Sequence, residues 1–159
     1  MTADPGVDIR WHEGQRADLR HMFELAESSA ALLDSYMPRG RVLVAVDDGS
    51  VVAHLQLVTT GTDGEFEIQS LAVVAPRRRG GIGRALVERA IAESCADGAR
   101  TLLVSTATAD IGALRFYQRV GFRMLRVERD AFTAETGYAD GITFDGIPLR
   151  DRIWLSMAL

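Results

Sequence analysis

Between Leu71 and Val87 the chain reads LAVVAPRRRGGIGRALV. An apolar run ends at Pro76, three arginines and two glycines follow, and an apolar periodicity of three and four then begins. That order sends a strand through a tight basic turn directly into a helix. A strand joined in this way needs a sheet with helices packed on it, which confines the chain to α/β or α+β architectures. The helix after Gly80 begins without Ser, Thr, Asp or Asn, so the amides of Gly81, Ile82, Gly83 and Arg84 have no side-chain cap. Arg77, Arg78, Arg79 and Arg84 are the only charged residues from Ile68 to Val87. A solvated arginine-rich turn is one reading. The other is a cradle in which an anion satisfies the open amides, aided by the helix dipole.

The flanking segments support a mixed sheet. VDIRW (7–11) reads as a first strand, and apolar positions recur at helical spacing from Glu13 to Tyr36, as two helices broken near Ser28–Ser29. RVLVAVDDGSVVAHLQLV is a hairpin turned at Asp48-Gly49. In the strand read from GTDGEFEIQSLAVVAP (61–76), Phe66 and Ile68 alternate with Glu67 and Gln69, but Leu71 and Val73 take the parity of the glutamate. A period of two that slips by one residue predicts a β-bulge near Gln69–Leu71. A helix over about 83–96, a strand in RTLLVSTAT, and a helix from Asp110 to Val120 stopped by Gly121 come next. FRMLRVER and RDRIWLSMAL are the remaining strands, and 131–148 reads as loop.

At 159 residues the chain fits one domain, 1–159. A net charge of −4 argues against nucleic acid as a partner. The single Cys95 excludes an internal disulfide and reads as inert helix packing. His12, His21 and His54 are scattered, so no metal is expected. MTADPGVDIRW does not resemble an export signal and no apolar run approaches a membrane span, which makes the cytoplasm the default location.

Without lysine the cradle is not a Walker loop, and Leu86 breaks the GxGxxG of a dinucleotide fold, which opposes an NAD(P)-dependent oxidoreductase. Arg78-x-x-Gly81-x-Gly83 matches the (Q/R)xxGx(G/A) motif of the GNAT superfamily of N-acetyltransferases. DIGALRFYQRVGF resembles that family's next motif, and the order of elements is similar over about residues 7–127. The resemblance implies a mostly antiparallel mixed sheet with splayed parallel strands 4 and 5 and helices on both faces. It implies acetyl-CoA as cosubstrate, held by the backbone of Leu71, Ala72 and Val73 along its pantetheine arm. Arg78, Arg79, Gly80, Gly81, Ile82, Gly83 and Arg84 would hold its pyrophosphate, and Phe116 and Asp110 would adjoin it. Asparagine is common at the position of Asp110, which also suits a plain helix cap.

Tyr117 would protonate the leaving thiolate, with core packing as the alternative. Glu67 is the expected base that frees the amine, with Glu65 or a water relay in reserve. His54 reads as a satisfied strand histidine, and Arg115 and Arg119 as a solvated helix face. The segment 128–148 is atypical. From Glu128 to Asp151 six acids stand against two arginines, interleaved with Phe132, Tyr138 and Phe144. It could cover the cleft and select a cationic amine, form a homodimer contact, or be a solvated loop. The acceptor is a small-molecule amine or a peptide, and a CoA-binding sensor without turnover is the rival function.

Overall fold

The computed structural model describes residues 6–159, so the first residues of the stretch read above for an export signal lie outside it. Strands β1 (Asp8–Trp11), β2 (Arg41–Asp47), β3 (Ser50–Thr59), β4 (Glu65–Val73), β5 (Thr101–Ala107), β6 (Arg123–Glu128) and β9 (Arg152–Ala158) form one sheet in the order β1-β2-β3-β4-β5-β9-β6. Among the described residues only β4 and β5 are parallel neighbours, and the other pairings of this sheet are antiparallel. Helices α1 (Arg20–Ala26) and α2 (Ala30–Tyr36) lie between β1 and β2 in sequence, α3 (Ile82–Ala96) joins β4 to β5, and α4 (Ile111–Val120) joins β5 to β6.

Strand β2 shows why helices cover both faces. Leu43 and Ala45 join the core with Leu86 and Val87 of α3, whereas the alternating Val42 and Val44 join Phe23 and Leu33 of α1 and α2. Leu43, Leu55, Leu86, Leu102 and Leu155 are fully buried, each contributing roughly 1.5–3 kcal/mol of transfer free energy. The break expected at Ser28–Ser29 is real: the Ser29 hydroxyl caps α2 by accepting from the Leu32 amide. Gly121, at φ +122°, ends α4 as its sequence position foretold.

Two expectations need correction. Cys95 is exposed, not packed, because it lies on the solvent side of α3. The stretch 131–148 is not all loop, since β7 (Thr143–Phe144) and β8 (Ile147–Pro148) form a small hairpin. Its turn, Asp145-Gly146, has both residues at positive φ, as does Asp48-Gly49 in the larger hairpin. No helix among the described residues is long and apolar enough to cross a membrane.

Candidate active site

The phase slip in β4 is a bulge at Gln69. Leu57 of β3 faces Ile68 and Gln56 faces Ser70, leaving Gln69 as the extra residue. At the same level β4 parts from β5. Their parallel ladder ends at Ile68–Val104, while β4 stays with β3 to Val73 and β5 stays with β9 to Ala107. The edge of Gln69–Val73 that would face β5 therefore has no strand on it, and a wedge opens between the two.

That wedge is the floor of a cleft of about 420 Å³. Ile68–Leu71 and Val104–Ala107 form its floor, and Asp110, Ala113 and Tyr117 of α4 line it beside them. The end of α1 and the turn after it (24–28) contribute residues on another side, together with Tyr36. Phe132, Tyr138, Ile142, Phe144 and Leu149 of the atypical segment complete the lining with Arg152.

Beyond the end of β4 the basic turn has the local geometry its glycines permit. Arg79 and Gly81 both adopt positive φ, at 65° and 87°, an arrangement that turns successive amides toward one concavity. The first backbone bond of α3 runs from the Ala85 amide to the Gly81 carbonyl, and Gly81 provides no side-chain cap. Among the described residues, no backbone carbonyl or capping side chain accepts from the amides of Arg79 to Arg84. A Cβ built on Gly83 would meet Phe116 and Val73 at an ordinary 3.6 Å, so the protein itself does not need glycine there. Arg78 turns back, its Nε donating to the Val73 carbonyl at 2.9 Å and bracing the strand end. Arg84 donates to Glu88 one turn on, at 2.9 Å. An ion pair between Arg77 and Asp47 ties the turn to β2.

Of the residues singled out for chemistry, Tyr117 and Asp110 line the cleft with Leu71. Tyr117 is buried, its ring edge-on to Phe116 at 5.1 Å and to Phe122 at 5.7 Å. Burial first, and then the charge of Asp110, raise its phenol pKa. Asp110 does cap α4, its Oδ1 accepting from the Ala113 amide at 3.0 Å. Ala72, Val73, Phe116 and the turn residues lie outside the cleft lining, although Gly83, Val73 and Phe116 come together. Glu67 stands just outside the lining, on the α1 side of the sheet. Burial raises its carboxyl pKa, partly countered by Arg39 and Arg152. Glu65 instead accepts from Thr60 Oγ1 at 2.8 Å at the start of the strand.

Sequence reading overlooked several cleft residues. Glu27 lies in the α1–α2 turn, where its Oε1 accepts from the Tyr138 hydroxyl at 3.2 Å and its Oε2 from the Ser29 amide at 3.4 Å. Nothing local distinguishes it from a solvated helix-end glutamate. Ser70 pairs with His54, Oγ to Nε2 at 2.8 Å, with both side chains buried. His54 packs on the Phe23 ring, burial lowers its pKa to about 3, and its Nδ1 has no partner among the described residues. It is therefore a neutral core histidine, satisfied at one nitrogen only. Arg115 and Arg119 are exposed as expected. The acids of the atypical segment do not reach the cleft: Asp140 and Asp145 are exposed, and Glu128 accepts from Trp154 and Arg152. Its aromatic residues are what the segment brings to the site. Among the described residues no group of three or more metal-ligating side chains assembles.

A sheet parted between two parallel strands, with an uncapped glycine-rich helix start after the first of them, defines the layout of an acyl-CoA-dependent transferase. The chain belongs to the Acetyltransferase (GNAT) family, whose model matches residues 7–122. It is 30% identical over 151 residues to the uncharacterized N-acetyltransferase YvbK of Bacillus subtilis, covering 95% of this chain and 96% of that one. The fold is similar to that of an IAA acetyltransferase from Bacillus cereus, with a TM-score of 0.87, 30% identity, and 96% and 99% of the two chains covered. A Bacillus subtilis acetyltransferase in complex with CoA superposes equally well, with a TM-score of 0.87, 29% identity and the same coverage.

Proposed function

We propose that the protein, working as one domain, transfers an acetyl group from acetyl-CoA to a primary amine in a ternary complex. The observation that carries this reading is the edge of β4, unpaired among the described residues, that runs from the cleft to a turn whose amides have no partner among them. The free backbone of Leu71, Ala72 and Val73 suits a pantetheine arm, which carries amides of its own. The amides of Arg79 to Arg84 suit a pyrophosphate, with Arg78 holding the strand end in place and Phe116 flanking the passage between turn and cleft. The solved Bacillus subtilis structure bound to CoA supports the assignment.

In the transfer an ammonium gives up one proton, its nitrogen bonds to the thioester carbonyl carbon, and the C–S bond breaks. A second proton leaves nitrogen as the amide forms, and the departing thiolate ends protonated as CoA thiol. Glu67, outside the cleft lining, would accept the first proton through water. Its raised pKa makes it a better base than an exposed glutamate. Tyr117 would supply the proton to sulfur. Burial keeps its phenol protonated at neutral pH, as a donor requires, and the same dry surroundings make a thiolate more basic.

Tyr117→Phe tests this. It keeps the ring contacts and removes one hydroxyl. Loss of a general acid costs roughly 10²-fold or more, loss of one neutral hydrogen bond about 1 kcal/mol, or ~5-fold. We expect kcat to fall by about 10²-fold while CoA affinity and melting temperature stay near wild type. A kcat within about fivefold of wild type, with chemistry rate-limiting, would leave Tyr117 as a packing residue.

A further inference from the structure

Two carboxylates that line the cleft, Asp110 and Glu27, have no cationic partner among the described residues. Glu24 is paired with Arg20 at 3.0 Å, and Asp110 caps α4. Glu27, half-buried, has no cationic partner within ion-pair distance among the described residues. Neutral donors hold it instead: the Tyr138 hydroxyl and the Ser29 amide. Tyr36 stands beside it, its pKa raised by burial first and by the Glu27 charge second. Nothing here neutralises the carboxylate; its position is fixed and its charge is left facing a cavity. A part-buried carboxylate among aromatic rings is a setting that favours an organic cation, through both charge and ring faces.

The docking of the atypical segment builds this setting. Gly137, at φ +102°, brings its backbone so close to α2 that a Cβ would stand 3.0 Å from Ser29 Oγ. That contact seats Tyr138 against Glu27 and places Phe132 edge-on to Tyr138 at 4.9 Å. Arg152, the one cationic side chain lining the cleft among the described residues, is occupied. It reaches Glu128 at 3.4 Å and stacks over Phe132 at 4.9 Å. The unpaired charge of Glu27 is negative, and the rings of Tyr138 and Phe132 stand beside it.

We infer that the acceptor is a small primary amine with an apolar or aromatic body and no carboxylate of its own, and that Glu27 receives its ammonium. Phe132, Tyr138 and Phe144 face the body of such a molecule. A free amino acid brings a carboxylate into a cleft already holding unanswered negative charge, which disfavours it. This inference rests on the acetyltransferase reading above.

The test compares phenethylamine with phenylalanine, which share a ring and an amine and differ in the carboxylate. Thiol release is followed at saturating acetyl-CoA with wild type and Glu27→Gln; the glutamine keeps one acceptor oxygen, enough for either the Tyr138 hydroxyl or the Ser29 amide. We expect phenethylamine to be acetylated with kcat/KM at least about tenfold above phenylalanine. In Glu27→Gln its KM should rise about tenfold or more, the usual scale for losing a charged partner, with KM for acetyl-CoA unchanged. Tyr138→Phe, which frees the carboxylate without removing its charge, should raise the amine KM less. A change in amine KM below about twofold in Glu27→Gln overturns the role of Glu27. Phenylalanine proving the better substrate overturns the substrate class and points to Arg152 as a carboxylate reader. Acetyl-CoA binding by calorimetry without turnover of either amine also overturns the class, whereas failure to bind acetyl-CoA at all would sink the transferase reading beneath it.

Discussion

Glu65 accepts a hydrogen bond from Thr60 at the start of β4, whereas Glu67, two residues on, has lost much of its water. Burial disfavours the charged form, so the Glu67 carboxyl titrates above the usual glutamate range. As a base it is inactive when protonated. Activity should therefore fall as pH drops through that raised pKa, at higher pH than an exposed glutamate would give. Glu67→Gln should lower kcat/KM at neutral pH and flatten this acid limb. Linkage gives the sign for stability: a folded pKa above the unfolded one favours folding at low pH, and that advantage is lost as pH rises through the folded value. Removing the charge should thus raise the melting temperature at pH 7 while activity falls. An unchanged acid limb in Glu67→Gln would place the base elsewhere.

Among the elements, the turn before α3 is where shape and chemistry separate most cleanly. Gly81 needs its glycine, because it starts the helix at a φ of 87° that other residues seldom adopt. Gly83 does not, since a Cβ there meets only ordinary contacts with Phe116 and Val73. Gly83→Val should therefore fold, with unchanged circular dichroism, and weaken CoA binding about tenfold or more by filling the approach to the amides. CoA affinity equal to wild type by calorimetry would remove the turn from the cofactor site. The bulge at Gln69 was legible in the same stretch, because a slip of one residue in a period of two exposes itself directly in the order of side chains. The β7–β8 hairpin was not read, although Asp145-Gly146 carries the same turn signal as Asp48-Gly49. Its strands of two residues each are too short to show any period.

For the whole molecule, the sheet brings the wedge to its middle and leaves β1 and β6 as edges. Strand β6 carries a bulge at Leu125 together with Arg123 and Arg126, features that discourage strand addition at an edge. A ligand lying across β4, the turn and α4 would tie together elements from both halves of the sheet, so its binding should stabilise the fold as a unit. Acetyl-CoA at a hundred times its Kd adds about 2.7 kcal/mol, which for a chain of this size corresponds to a rise of roughly 5–10 °C in melting temperature. A thermal-shift titration checks this, with ATP and a simple phosphate as controls. No rise with acetyl-CoA, or an equal rise with phosphate, would contradict a site spanning the wedge and the turn.

The sequence alone determined those features whose causes are local. A helix start without a cap, a glycine pair, a slipped period and a helix stop at Gly121 each depend on residues within a few positions of one another. They carried the element order, the turn and the position of the bulge. Only the tertiary structure decided which side chains meet across the cleft. Glu27 and Tyr138 are 111 positions apart, and although the acids and rings around Tyr138 drew notice, nothing near either residue in sequence shows that the two meet. The carboxylate that the α1–α2 turn brings to the cleft is Glu27, whereas in the acidic segment Asp140 and Asp145 are exposed while Tyr138 is buried and Phe132 half-buried. That partition follows from burial energetics over the whole fold: rings gain by leaving water, and carboxylates stay in it unless donors such as Tyr138 and the Ser29 amide compensate them.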